Sequence, residues 1–143
     1  MVKSITEKCS AKINIAIDVL GKYPNGYHEV RMIMTQVGIF DVITISLKDE
    51  KGIEIAGSDI NMPVDESNLA WKAANEFFKA IKFDGGCDIY IEKHIPMGAG
   101  MAGGSSDAAG VINGLNKLFD SPLSLEERMK MGKKLGADVP FCV

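Results

Sequence analysis

Cysteine, histidine and tryptophan are scarce in this chain, at three, two and one among 143 residues. Cys9, Cys87 and Cys142 are odd in number and far apart, so no complete disulfide framework fits them, and no zinc-ligand spacing exists. Each lies among apolar or strand-like residues. That predicts buried free thiols and a reducing, cytoplasmic setting. A basic excess is also missing: 16 Lys and Arg stand against 19 Asp and Glu, a formal net charge of -3. This argues against a nucleic-acid partner. No apolar run approaches the roughly 18 residues of a membrane span, so no membrane partner is expected. The first eight residues have no apolar core of the kind a secretory leader needs. Repeats and low-complexity linkers are absent too, so the length reads as about one domain.

Glycine is plentiful in one place. Pro96-Met-Gly-Ala-Gly-Met-Ala-Gly-Gly-Ser-Ser106 carries Gly98, Gly100, Gly103 and Gly104. It follows the alternating run Cys87 to Ile95 and precedes Ala108, Val111, Ile112, Leu115, Leu118 and Phe119 at helical spacing. A glycine loop between a strand and a helix can wrap its N–H groups around an anion, phosphate above all, at the helix N-terminus. It is not a Walker A, for no Gly-Lys-Ser/Thr closes it. Gly98-x-Gly100-x-x-Gly103 matches a dinucleotide fingerprint in spacing only, because no strand with an acidic end follows. Two readings fit the loop by itself: an anion cradle, or a surface loop whose glycines serve turn geometry. The lack of large polar residues suits close backbone approach to a ligand.

Upstream, Ile13, Ile15, Ile17 and Val19 alternate with Lys12, Asn14, Ala16 and Asp18. This predicts a strand whose apolar side packs on a core, with Lys12 and Asn14 sharing the other face. Gly21 to Gly26 is a loop delivering Tyr27 and His28 to a second extended run through about Gly38. Val42 to Leu47 and Ile53 to Ala56 read as two further strands, joined by a hairpin turn over Asp49 to Gly52. Leu69, Ala73, Phe77 and Ile81 mark a helix capped by Ser67 or Asn68. Ser124-Leu-Glu-Glu127 is a capping box opening a third helix, with Leu125, Met129 and Leu135 on one side and Gly136 as its C-cap. Ala137 to Val143 restarts an apolar segment. Strands first, then strand–helix alternation, predicts an α+β fold: a mixed or antiparallel sheet with helices on one face.

Phosphoryl transfer needs a phosphate cradle, positive charge, and a group that positions or deprotonates the acceptor. Lys12 and Asp138 are candidates for the last two, but they lie 126 positions apart (138 − 12). Spacing alone gives no reason for them to meet. By themselves Lys12 reads as a solvated strand lysine, Asp138 as a turn or N-cap residue, His28 as a turn-flanking histidine and Tyr27 as a core aromatic.

Pro96 to Ser106 resembles the phosphate loop of the GHMP kinases, a superfamily that includes galactokinase, homoserine kinase and mevalonate kinase. Within it, Ala11-Lys-Ile-Asn14, Gly26-Tyr-His28, Asp41-Val-Ile43, Asn68-Leu69 and Gly136-Ala-Asp-Val-Pro140 are similar to the 4-diphosphocytidyl-2-C-methyl-D-erythritol kinases. The resemblance runs from about Ser10 to the last residue, in the family's motif order. It implies the N-terminal domain of these kinases, of the ribosomal protein S5 domain 2-like fold. The implied reaction transfers the γ-phosphoryl of ATP, with Mg²⁺, to the acceptor's 2-hydroxyl in non-mevalonate isoprenoid synthesis. Asp138 would take the hydroxyl proton and Lys12 would be its partner. Pro96, Met97, Gly98, Ala99, Gly100, Met101, Ala102, Gly103, Gly104, Ser105 and Ser106 would form the ATP loop, with Met97 and Met101 packing within it. Asn68 and Lys93 would lie near the adenosine. Asn14, Tyr27 and His28 would contact the substrate, the last two at its cytidine end. No carboxylate ligand for the metal follows from the motifs, and His94 reads as structural.

Ala99, Met101 and Ala102 stand where relatives often carry glycine or leucine, and the two alanines fit only if their φ angles are negative. Family members also continue into a second domain, which this chain, 1–143, lacks. The resemblance therefore implies weak or absent activity for this chain alone, and an exposed apolar face prone to self-association. Two alternatives stay open: another small-molecule GHMP kinase, such as one for homoserine or mevalonate, and a non-catalytic binding module on the same architecture.

Overall fold

The computed structural model describes residues 3–143. Two long strands begin the chain: β1, Ser4–Lys22, and β2, His28–Lys48, antiparallel along their length. Then follow β3, Gly52–Gly57; α1, Leu69–Ile81; β4, Gly86–Glu92; α2, Gly103–Leu118; α3, Leu125–Leu135; and α4, Val139–Cys142. The sheet order is β1-β2-β4-β3. β4 runs antiparallel to β2 and parallel to β3, so the fold is α+β with a mixed sheet.

Alternation decides which sheet face is covered. Ile43, Ile45, Cys87, Ile89 and Ile91 point inward and are buried. Their neighbours Asp88, Tyr90 and Glu92 are exposed. The outer face carries polar cross-strand pairs, with Ser4 Oγ 3.1 Å from Ser46 Oγ. α1 supplies Ala70, Ala73, Ala74, Phe77 and Phe78 to the core. α2 is the central helix, buried from Ser106 to Ile112 and again from Gly114 to Asn116. It lies close on the sheet because Gly110 and Gly114 lack side chains. A Cβ at Gly110 would run into Cys9 Sγ, and one at Gly114 would sit 2.8 Å from Ile45 Cδ1.

Several expectations change. The extended runs before and after Gly38 are one strand, β2. Asp49 to Gly52 is a turn but not a hairpin, because β4 takes the place beside β2 and β3 pairs only with β4. The side bearing Ile13, Ile15, Ile17 and Val19 does not pack on a core: Ile15 is 63% and Val19 64% exposed. β4 pairs with β2 only from Val42 onward, and among the described residues no third strand pairs with the β1–β2 ribbon toward its tip, where Ile15, Ile17 and Val19 are exposed. In α3, Leu125 and Met129 are exposed while Met131 and Gly132 are buried. The caps hold: the Ser124–Glu127 capping box is formed, Gly136 ends α3, and Asn68 caps α1 by accepting from Ala70 N. Cys9 and Cys87 are buried free thiols, whereas Cys142 is half-buried. Among the described residues no helix is long and apolar enough to cross a membrane.

Candidate active site

A cleft of about 570 Å³ opens between the middle of β1, the segment before α1, the glycine loop and the entry to α4. That is within the roughly 300–1,000 Å³ usual for small-molecule sites. Its walls include Lys12, Asn14, Asn68, Lys93, every residue from Pro96 to Ser105, and Asp138. Met62, Pro63, Ser67, Leu69 and Asp107 complete them.

A break in β1 aims Lys12 into this space. The β1–β2 register shifts between Ser10 and Lys12. A bulge frees backbone groups from the ladder and redirects side chains. Here the freed groups hold the loop and helix: Lys12 N donates to Met101 O at 3.0 Å, and Ser10 O accepts from Ser106 Oγ at 2.7 Å. The Lys12 ammonium, nearly buried, donates to Asn14 Oδ1 at 3.1 Å and lies 3.5 Å from Asp138 Oδ2. The two candidate residues, remote in sequence, therefore meet. Asp138 occupies the N-cap position of α4, but its side chain makes no capping bond and remains about one-third exposed. Its carboxylate is thus available to a ligand.

The loop turns on Gly98 and Gly100, at φ 70° and 72°, values that favour glycine. Ala102 is also left-handed, at φ 56°, against the negative φ expected there, while Ala99 meets that expectation. Left-handed geometry costs a non-glycine residue about 1 kcal/mol. Ala102 is the N-cap of α2 and offers no side-chain acceptor. The first-turn N–H groups of Gly103, Gly104 and Ser105 therefore have neither an intrahelical partner nor a cap. Uncapped donors and the helix dipole together suit an anion.

Beneath the loop lies an ionic cluster that sequence reasoning missed. Lys93 Nζ sits 2.5 Å from Asp41 Oδ2 and 2.9 Å from Asp107 Oδ2, and all three side chains are nearly inaccessible. Asp41 Oδ1 also accepts from the backbone N–H groups of His94 and Ile95. Burial pushes the Asp41 carboxyl up, but the Ile95, Lys93 and His94 donors outweigh it and hold it below the ordinary range. Burial likewise works against the Lys93 charge, and Asp107 and Asp41 more than restore it. For Asp107, burial is the largest influence; the Lys93 pairing does not offset it, and the carboxyl is raised to about 7. A signal for Asp41 existed: it shares the inward register of Ile43 and Ile45, where a carboxylate needs a partner.

Three sequence candidates lie off the cleft walls. Ser106 is buried with its hydroxyl donated to Ser10 O. Tyr27 and His28 lie at the tip of the β1–β2 ribbon, where His28 pairs with Lys22. Ten residues of β1 separate that pair from Lys12, a span of at most about 34 Å. Tyr27 is 75% exposed, not a core aromatic. Asn68 lines the cleft with its side chain engaged, accepting from Ala70 N and donating to Pro63 O.

The family model for the GHMP kinases N terminal domain matches residues 68–143, a span holding α1, the glycine loop and Asp138. The chain belongs to this family. A 4-diphosphocytidyl-2-C-methyl-D-erythritol kinase of Lachnoclostridium phytofermentans is 49% identical over 97% of the chain and 48% of the relative. One from Clostridioides difficile is 47% identical over 95% of the chain and 46% of the relative. The chain thus spans about half the length of the curated relatives it matches. The crystal structure of a 4-(cytidine 5'-diphospho)-2C-methyl-D-erythritol kinase superposes with TM-score 0.82 at 33% identity, over 96% of this chain and 48% of that one. Homoserine kinase from Cytophaga hutchinsonii shares the fold at TM-score 0.73 and 15% identity, over 92% of this chain and 40% of that one.

Proposed function

We propose that this GHMP kinase domain takes part in transferring the γ-phosphoryl of ATP to the 2-hydroxyl of 4-diphosphocytidyl-2-C-methyl-D-erythritol, in non-mevalonate isoprenoid synthesis. One observation carries the reading: Lys12 and Asp138 approach within 3.5 Å at the wall of a cleft built on an uncapped glycine cradle. Two kinases named for this acceptor, 49% and 47% identical to the chain, support the choice of substrate.

The loop and first turn of α2 would hold the phosphates through backbone donors. Asp138 would accept the acceptor's hydroxyl proton, its oxygen oriented by Lys12. Lys12 would also stabilise charge gathering on the transferred group. Asn14, bonded to the Lys12 ammonium, would fix that side chain and reach the acceptor. Tyr27 and His28 would meet the cytidine end, and Asn68 and Lys93 would border the adenosine. Among the described residues no group of three or more His, Cys, Asp or Glu could hold a metal ion. Those residues make no metal centre of their own; a Mg²⁺ ion would enter with the ATP phosphates, its usual holders.

The test is a coupled ADP-release assay on the 143-residue chain and on a longer chain carrying the second half of its relatives, with and without the acceptor. Acceptor-dependent release in the longer chain and little in the shorter one is expected. Asp138→Asn should lower it about 10²–10⁴-fold, the usual contribution of a general base. Acceptor-independent or undiminished release would refute the assignment.

A further inference from the structure

The Asp41–Lys93–Asp107 cluster sits under the cradle, and beyond the place of Lys93 beside the adenosine no step of the reaction above uses it. Its charges do not balance: one ammonium serves two buried carboxylates. Asp41 is saturated by three donors. Asp107 has one, and its Oδ1 is buried without any partner. Asp107 nevertheless belongs to the cleft wall, one turn into the helix whose N-terminus the phosphates would approach. The other groups around it are Asp41 from β2, Lys93 after β4, Cys9 and Lys12 from β1, and Asp138 before α4. His94 faces away, paired with Glu92 at the surface.

We propose that Asp107 takes up a proton from solvent when nucleotide binds: polyphosphate settling over the first turn of α2 binds together with that proton, which is held on the free Oδ1. The proposal rests on the nucleotide reading above and deepens it. Two effects drive the coupling. An anion above the turn is a like charge for Asp107 and disfavours its ionised form. The same anion competes with that carboxylate for the positive end of the helix. The proton comes from solvent, and the cluster becomes neutral, one ammonium against one carboxylate. Asp107 starts poised for this, since burial has already raised it to about 7. A further rise of about one unit on binding would weaken affinity about fivefold between pH 6 and pH 8, by linkage.

Isothermal titration of the 143-residue chain with ATP tests this, in buffers of different ionisation enthalpy across that pH range. Asp107→Asn is the matched control, isosteric with the protonated acid. The terminal phosphate of ATP titrates in both proteins and cancels in the comparison. The wild-type chain should take up more protons than the variant at pH 7, and its affinity should fall about fivefold relative to the variant by pH 8. Equal proton uptake and parallel pH slopes would overturn the proposal. Should the variant not fold, the carboxyl-carbon NMR resonance of Asp107 decides in the unaltered chain. Its midpoint should rise when ATP is added, and an unmoved midpoint would overturn the coupling. An absence of any binding isotherm at every pH is a different outcome: it refutes the nucleotide reading, and this inference with it.

Discussion

Replacing Lys93 by Met removes the ammonium that Asp41 and Asp107 share and keeps most of its apolar stem. Asp41 retains the N–H groups of His94 and Ile95, whereas Asp107 loses its only hydrogen bond. Breaking a buried pair by deleting one partner costs about 3–5 kcal/mol, because the other charge stays buried. The sign of the pH dependence follows from the two carboxyls. Asp41 is held below its ordinary value of 3.8 in the folded chain, so its contribution exists above that value and is lost as pH falls. Asp107 is raised, so its ionisation opposes folding increasingly as pH rises toward 7. Without Lys93 the Asp41 contribution shrinks and the Asp107 penalty grows, and both changes tell at high pH, where the acids are ionised. The deficit of Lys93→Met should therefore be near its full value at pH 8 and clearly smaller at pH 5, where protonation relieves the unpaired acids. Urea denaturation reads this through Trp71, the single tryptophan, whose indole N–H donates to Ile53 O at 3.1 Å. A loss below about 1 kcal/mol at pH 8, or an equal loss at both pH values, would refute the reasoning. Adding Asp107→Asn to the variant should recover part of the loss at pH 8.

Three further expectations concern the core, the thiols and the ribbon. Gly110→Ala drives a methyl into Cys9 Sγ and should cost about 1–3 kcal/mol in the same denaturation experiment; a neutral result would mean that α2 shifts freely on β1. Burial raises the Cys9 thiol well above its ordinary value, Cys87 to about 12 and half-buried Cys142 to about 11. A disulfide-exchange reagent at pH 8 should thus modify the native chain slowly and at Cys142 first, with Cys9 and Cys87 reacting only after denaturation, as peptide mass analysis would show. The uncovered side chains of the β1–β2 ribbon should promote self-association, so sedimentation velocity should show a concentration-dependent rise that Ile15→Lys with Val19→Lys abolishes; identical profiles for the two proteins would exclude this face.

The local signals in the sequence carried far. Asn68, Ser124 with Glu127, and Gly136 mark helix ends because caps are set by one or two residues, and all hold. The glycine loop stands out between its strand and helix for the same reason. Pairing was less legible. Asp49 to Gly52 has turn residues whether or not its flanking strands pair, and only the later insertion of β4 decides that they do not. Ile13 to Val19 alternates as a half-buried strand would, but alternation cannot say whether anything lies against the apolar side. The meeting of Lys12 with Asp138 was suggested by resemblance, never by spacing, and the bulge at Ser10 and Lys12 that aims the lysine leaves no local mark. Asp107 hid in a helix start rich in small residues, where its partner Lys93 comes from a different element.

The order of the strands in the sheet also dictates the order in which a chain emerging from the ribosome can complete it. β4 fills the gap between β2 and β3, yet it is the last strand to be made. Until Glu92 has emerged, the N–H and C=O groups on the β4-facing edge of β2, from Val42 to Lys48, face an empty place, and β3 has no neighbour in the sheet. Open strand edges recruit other chains. Products stopped before β4 should therefore collect as aggregates, and chaperone contact during synthesis should be heaviest in the interval between β3 and β4.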